Sequence, residues 1–438
     1  MKQFFCSRWR SVRLASLFHE NTVKNEDFLL SNALQFRYGS IVQKKKFDLT
    51  SDLIETYKKY TLIQPGDIMI NGLNLNYDFI TQRVALVPST GIITSAYICL
   101  RPRNSVNYRF YTYYLKALDA LKVFNGLGTG IRLTLSYDSI KNMVLPLPPR
   151  EEQDQIVRYL DWQVSKINRL IVAKRKEIAL LHEQHKRRIS EAVLHGNDDG
   201  CCQKDSGVEW IGMIPEHWSV IRCKYVFTER DERSIAGEEE HLSMSQKYGL
   251  VPDSKLDERR MLSESYVGGK VCYKNDLVLN RLKAHLGVFA LSPQKGVISP
   301  DYTVLIPNAE RILPTYGEAV LKSDLCRREL RIRVRGIIEG FWRLYTDDFN
   351  TIVIPLPPLK EQEQIMKHLS ALNNKFTALK QRLEQEINIL HELRTRLISD
   401  VVTGQVDVRS IKVPDNEYIN NEITEEEFEE ESENNEEE

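Results

Sequence analysis

No stretch of this 438-residue chain approaches the ~18 uninterrupted apolar residues that a membrane-spanning helix needs, so no span is expected. Its first eighteen residues, MKQFFCSRWRSVRLASLF, place Arg8, Arg10 and Arg13 where a secretory leader would be apolar, and a cytoplasmic protein is expected. The seven cysteines are odd in number and scattered, with no C-x-x-C pair. Cys201 and Cys202 are adjacent, but no second pair stands at ligand spacing, which favours free thiols over a disulfide framework or a zinc site.

Catalytic signatures are equally scarce. There is no G-x-x-x-x-G-K-[ST] phosphate loop. The glycines of GLGTG (126–130) neither follow a strand nor open a helix, so they read as a connection and not a nucleotide cradle. His182 and His185 lie three apart on a helix, yet at the repeat spacing introduced below His182 recurs as His391 while His185 becomes Arg394. That argues for polar positions flanking a helical seam over metal ligands. VPDSK (251–255) and SPDY (299–302) each hold Pro-Asp without the spaced acidic-x-Lys unit of a metal-dependent nuclease. No catalytic residue, metal site or cofactor is expected in this chain.

Charge is unevenly distributed. Thirteen acidic residues and no Lys or Arg lie between Asp415 and Glu438, the composition of a disordered acidic tail. Residues 1–414 therefore hold all 60 basic and 48 acidic side chains, a net +12, which suits a polyanionic partner as well as it suits a merely solvated surface.

The chain also repeats itself. At an offset of 209, Trp9 meets Trp218, Phe18 meets Phe227, Asp67 meets Asp276, Asn71 meets Asn280, and PLPPREEQ (146–153) meets PLPPLKEQ (355–362). From Leu145 to His195, against Ile354 to Gly404, twenty of fifty-one positions are identical without a gap. The segments before these agree weakly and need small insertions. QPGDIMINGL (64–73) and YKNDLVLNRL (273–282) each set a turn residue and an Asp before an alternating apolar run, predicting a strand after a tight turn. RVALVP and GVFALSP predict further short strands, and YRFYTYYLKALDALKVF (108–124) an amphipathic helix.

Each proline phrase opens a long helix, since proline fixes the entry and cannot continue a preceding helix. Apolar residues recur every three or four positions at Ile156, Leu160, Ile167, Ile171, Ile178 and Leu181. In the second copy they are Ile365, Leu369, Phe376, Leu379, Leu383, Ile387 and Leu390. A seam of this length is a coiled-coil signal, stopped by Gly196 and Gly404. Two such helices in one chain bury their seams most economically against each other, antiparallel. The alternatives are packing back on each helix's own globule, or pairing between chains. The fold class expected is α+β: two globular target recognition domains joined by two long antiparallel coiled-coil helices, a pseudo-twofold tandem repeat. The boundaries are 1–149 and 210–354 for the globules, 150–196 and 355–404 for the helices, 197–209 for a linker and 405–438 for the C-terminal segment.

Candidate binding residues cluster in the variable parts. LQFRYGSIVQKKK (34–46) and LSMSQKYGLV (242–251) set polar and basic side chains around an aromatic beside a glycine, a composition able to contact phosphates and base edges. The candidates are Arg37, Tyr38, Lys44, Lys45, Lys46 and Asn71 in the first copy, and Ser245, Gln246, Lys247, Tyr248, Arg281 and Lys283 in the second. RRELRIRVRG (327–336) alternates apolar residues with Arg331, Arg333 and Arg335, as a strand would that buries one face and offers guanidinium groups on the other.

DSGVEWIGMIPEHW (205–218), LSMSQKYGL, IPLPPLKEQEQI (354–365) and LISDVVTGQVDVR (397–409), in this order around two long helices, resemble the specificity subunit of a type I restriction-modification system. The resemblance covers the chain to about Arg409. It implies that each variable module reads one half of a split, asymmetric site in double-stranded DNA, and that the helices set the unread gap. It also implies docking of two methyltransferase subunits and of restriction/translocase subunits. Those partners would bind S-adenosylmethionine, ATP and Mg, leaving this chain non-catalytic. The acidic tail has no counterpart in the resemblance. A structural coiled-coil protein with two ligand-binding heads and no DNA is the competing reading.

Overall fold

A computed structural model describes residues 6–414 apart from 7, 38, 45–49, 76–81, 104–105, 131–132, 198–199, 246–247, 256–265 and 337–341. The acidic tail therefore lies outside the described residues. The chain divides into two compact units, residues 1–175 with 384–438, and residues 176–383.

The first unit is built on an antiparallel sheet ordered Phe18–Glu20, Ile98–Pro102, Ile68–Ile70, Val84–Leu86. Gly66 takes the left-handed conformation (φ +95°) and turns the chain into the central strand, where the sequence places a tight turn. Ile68, Met69 and Ile70 are all fully buried, Ile68 and Ile70 in one hydrophobic cluster and Met69 in another. The strand is thus covered on both faces, which is why its apolar run is continuous where a half-exposed strand would alternate. The helix Tyr108–Ala120 is capped by Asn107, whose side-chain oxygen accepts from Phe110 N at 3.1 Å. It buries Phe110, Tyr111, Tyr114 and Leu118.

The second unit repeats this plan with Phe227–Arg230, Tyr302–Pro307, Leu277–Asn280 and Phe289–Leu291. Asn275 (φ +73°) stands where Gly66 stands in the first. A hairpin of Gln203–Asp205 and Met213–Pro215 is an addition peculiar to this unit among the described residues. One expectation fails here. Residues 324–333 form a helix, not an alternating strand. Ser323 caps it by accepting from Cys326 N, and helical spacing buries Cys326 and Leu330 while Ile332 is 76% exposed.

The proline phrase is fastened alike in both units. Pro146 lies in the strand Val144–Leu147 paired with Arg10–Arg13, and Pro355 in Val353–Leu356 paired with Ser219–Arg222. Their carbonyls accept from the hydroxyls of Tyr111 (2.8 Å) and Tyr316 (3.4 Å). The glutamine ending the phrase folds back: Gln153 Nε2 donates to Pro148 O at 2.9 Å and Gln362 Nε2 to Pro357 O at 2.9 Å. Both glutamines are buried, so each helix's first turn is tied to the strand before it.

The long helices span Arg150–His195 and Leu359–Val402. The second starts at Leu359, later than the expected 355, because the phrase's first prolines belong to a strand. Within each unit the helices run antiparallel. In the first, Gln155 Nε2 reaches Val408 O and Ile411 O, Arg394 donates to Asn168 Oδ1 at 2.8 Å, and Lys174 pairs with Glu386 at 2.9 Å. In the second, Phe376 lies edge-on to His182 (4.8 Å) and stacked on His185 (4.2 Å), so these histidines do line the seam. Ile156, Leu160, Ile167, Ile171, Ile365, Leu369, Leu383 and Ile387 are buried, and Ile178, Leu181, Phe376 and Leu390 half-buried. Leu379 is the correction: at 39% exposed it does not serve the seam. Leu379, Leu383 and Ile387 make two successive steps of four, which a helix of 3.6 residues per turn cannot hold on one line. The helices also pack on their globules, since Ile156 and Leu160 share the first unit's core and Ile365 and Leu369 the second's.

Candidate nucleic-acid interface

Each unit carries a two-stranded hairpin at the candidate site: Leu34–Arg37 with Ser40–Gln43, and Leu242–Ser245 with Gly249–Pro252. Gly39 (φ +83°) and Gly249 (φ +70°) allow the reversal. A Cβ on Gly39 would meet Gln82 at 3.1 Å, and one on Gly249 would meet Ala290 at 3.1 Å. Each glycine thus lets its hairpin lie close to the sheet. The register pairs Arg37 with Ser40 and Ser245 with Gly249, giving tips of two and three residues.

Arg37 ends one hairpin strand, and Lys44 follows its partner, half-buried, with its N–H on Ala33 O at 2.9 Å. In the second unit, Ser245 Oγ accepts from Tyr248 N at 3.3 Å, leaving the Tyr248 ring 66% exposed at the tip. Tyr38, Lys45, Lys46, Gln246 and Lys247 lie outside the described residues.

A second pair of loops leaves the ends of the central strands. Asn71 Oδ1 accepts from Leu73 N and Asn280 Oδ1 from Leu282 N, both at 3.1 Å, so each strand ends in the same side-chain-stabilised turn. Past that point the units diverge. In the first, Arg83 is 4% exposed and donates to the carbonyls of Asn71 (2.9 Å), Leu73 (2.8 Å) and Asn74 (3.3 Å), gripping the loop from below. The sequence reading overlooked Arg83, since an arginine before a strand carries no sign of burial. In the second, a short 3-10 turn at Ala284–Leu286 packs against the helix Asp324–Arg333. Arg281 Nε donates to Asp301 O at 3.1 Å, and Lys283 is exposed at the head of the turn.

The arginines on and after that helix have different fates. Arg333 pairs with Glu329 and Arg335 with Asp348. Arg331 is exposed and makes no ion pair among the described residues. The helix that carries Arg331 thus packs on the turn that Lys283 heads, while Arg333 and Arg335 are occupied within the fold. Among the described residues, no three His, Cys, Asp or Glu side chains converge as a metal would require, and no helix is long and apolar enough to cross a membrane.

Comparison with known proteins bears on these surfaces. A family model described as the type I restriction modification DNA specificity domain matches residues 7–180 and 231–388. The MjaVIII type I specificity subunit of Methanocaldococcus jannaschii is 23% identical over 92% of this chain and 94% of its own length. The EcoKI specificity subunit of Escherichia coli K12 is 21% identical over 90% and 87%. Among solved structures, a chain from a study of complex assembly and conformational transition of the type I R-M system aligns with a TM-score of 0.62. It is 15% identical and covers 92% of this chain and 99% of that one.

Proposed function

We infer how this chain works from its kinship: it belongs to the type I restriction-modification DNA specificity family, matched over both of its repeats. It is a DNA sequence-specificity subunit, non-catalytic in itself, and its partners are DNA and the modification and restriction subunits of such a system. The competing reading, a coiled-coil protein without DNA, has no support from any of these relatives.

The finer reading is ours. Each unit reads one half of a split, asymmetric site, through its hairpin tip and the loop after its central strand. The observation that carries this is that two units share one buried scaffold yet differ in tip length and loop support. Identical readers would imply a palindrome, whereas divergent ones suit two unlike half-sites. In the second unit Arg331, Arg281 and Lys283 would grip the phosphate backbone and Ser245, Gln246, Lys247 and Tyr248 would approach bases. In the first, Arg37, Tyr38, Lys44, Lys45, Lys46 and Asn71 would take the matching roles. The long helices set the unread gap and dock two methyltransferase subunits in the cytoplasm. S-adenosylmethionine, ATP and Mg are bound by the partners.

Methylome sequencing of cells carrying this gene with its partner genes tests the reading. A split, asymmetric motif that disappears on deletion is expected, and an unchanged methylome with active partners would overturn it. Four residues inserted beside Lys174 should alter the unread spacing and leave both half-sites as they were. Arg331→Ala should weaken binding to all sequences alike and reduce the salt slope of binding by about one.

A further inference from the structure

The corner where Gly196 ends the first long helix and Glu361 lies in the first turn of the second holds a constellation apart from the hairpin and loop residues of the candidate interface. The register of the second unit's added hairpin, Gln203 opposite Pro215, continues outward through Glu216 N donating to Cys202 O at 2.8 Å. One step further it sets Cys201 opposite His217, with Sγ 3.7 Å from Nδ1. On the other side of the ring, Nε2 is 2.7 Å from Glu361 Oε2. A carboxylate accepting from Nε2–H fixes the tautomer, so Nδ1 is left to accept from the thiol. Nucleophile, base and orienting carboxylate thus stand in sequence within hydrogen-bonding reach of one another.

We propose that Cys201 is a modification site: a thiol activated by His217, itself oriented by Glu361, that takes hydrogen peroxide. In the step, the Cys201 proton passes to Nδ1 and the sulfur attacks one peroxide oxygen. An S–O bond forms and the O–O bond breaks. Sulfur is oxidised by two electrons to a sulfenic acid, and the departing hydroxide takes the proton back from His217 and leaves as water.

The other six thiols set the contrast. Burial pushes the Cys99 thiol up to about 12 and raises those of Cys223, Cys272 and Cys326 as well, so these four are poor nucleophiles. Cys202 is exposed and Cys6 half-buried. Cys202 is the natural control: it is one residue away and exposed where Cys201 is half-buried, so access alone would favour Cys202. At the corresponding corner of the first unit Glu152 faces two arginines, Arg8 and Arg409, where Glu361 faces His217.

The test uses the full chain, reduced, treated briefly with hydrogen peroxide in the presence of dimedone, with adducts located by peptide mass spectrometry. Cys201 should be trapped about tenfold faster than Cys202 or Cys6. His217→Asn should bring Cys201 down to the rate of Cys202, while Cys201→Ser removes the fast adduct altogether. Equal trapping of Cys201 and Cys202 in the unaltered chain would overturn the proposal. So would an undiminished Cys201 rate in folded His217→Asn protein. Should that variant fail to fold, the comparison within the unaltered chain decides alone.

Discussion

The two units meet one burial problem with different arginines. Asp67 and Asp276 occupy the same place at the mouth of the central strand, both almost wholly buried, and each accepts from a backbone N–H three residues before it. In the first unit the guanidinium comes from Arg101, on the central strand's inner neighbour, through bonds of 2.8 and 2.7 Å. In the second it comes from Arg230, one strand further out, at 2.9 and 3.3 Å. A buried carboxylate must be paired, but the partner can come from whichever strand reaches it. The repeat has therefore kept the demand and let the supply move. At the hairpin tips and in the loops after Asn71 and Asn280, even the length has changed.

Removing the demand should have the largest effect. Asp67→Ala leaves Arg101 beside a void and should cost about 3 kcal/mol, confined to the first unit, with Asp276→Ala doing the same to the second. Hydrogen exchange resolved by peptide would show which unit opens, and equal loosening of both would erase the independence the comparison assumes. Next come the helix stops. Gly404→Ala should cost about 2 kcal/mol, because a Cβ there meets Trp9 at 2.8 Å and Cys6 at 2.9 Å on top of a φ of +74°. Gly196→Ala, at 3.2 Å from Trp218, should cost about 1 kcal/mol, and denaturant titration of the two variants would rank them. Tyr111→Phe removes the buried hydrogen bond to Pro146 O, and Tyr316→Phe those to Val193 O at 2.9 Å and Pro355 O at 3.4 Å; each should cost about 1 kcal/mol.

The smallest effect is a difference in pH response. Burial holds His182 and His185 below the usual histidine value, with the neighbouring Lys380 and Lys186 adding to the shift at His182, where Glu183 opposes it. At His185 the hydrogen bond to Asn373 opposes the shift. The unfolded chain thus binds these protons more readily than the folded one, so their contribution is complete above pH 6.5 and declines as pH falls below it. Protection of the amides around Phe376, taken against their intrinsic exchange rates, should fall as pH is lowered from 7 to 5.5, and His182→Gln with His185→Gln should flatten that dependence.

Features with a period or a repeat were legible in the sequence: the duplication, both long helices, the turn-then-strand at Asp67 and Asp276, and the helix from Tyr108. Features decided by competition between neighbours were not. Six alternating residues around Arg331 suggested a strand, but a serine cap and the apolar spacing of Cys326 and Leu330 favoured a helix. Leu379 fits a heptad on paper and loses its place to the stagger at Leu383 and Ile387. Arg83 and Arg101 look like any surface arginine in the sequence, and their engagement follows from contacts with residues up to 36 positions away. At the candidate site, the sequence singled out the glycines and the polar residues around them but not the hairpins, and the engagement of Arg333 and Arg335 by Glu329 and Asp348 depended on the helix it had not anticipated.

The first unit is discontinuous in the chain, and that sets an order of events during synthesis. Residues 176–383 form the second unit in one stretch, whereas the first draws on residues 384–438 as well. Val401, Val402 and Val408 enter the core beside Trp9, Cys6 N donates to Thr403 O at 2.7 Å, and Arg409 stands 4.0 Å from Glu152. The half made earliest by the ribosome thus waits, with an open core, for the last of the folded residues to emerge. The half made later can close before it. A nascent chain halted before Leu397 would carry a finished second unit and an unfinished first one.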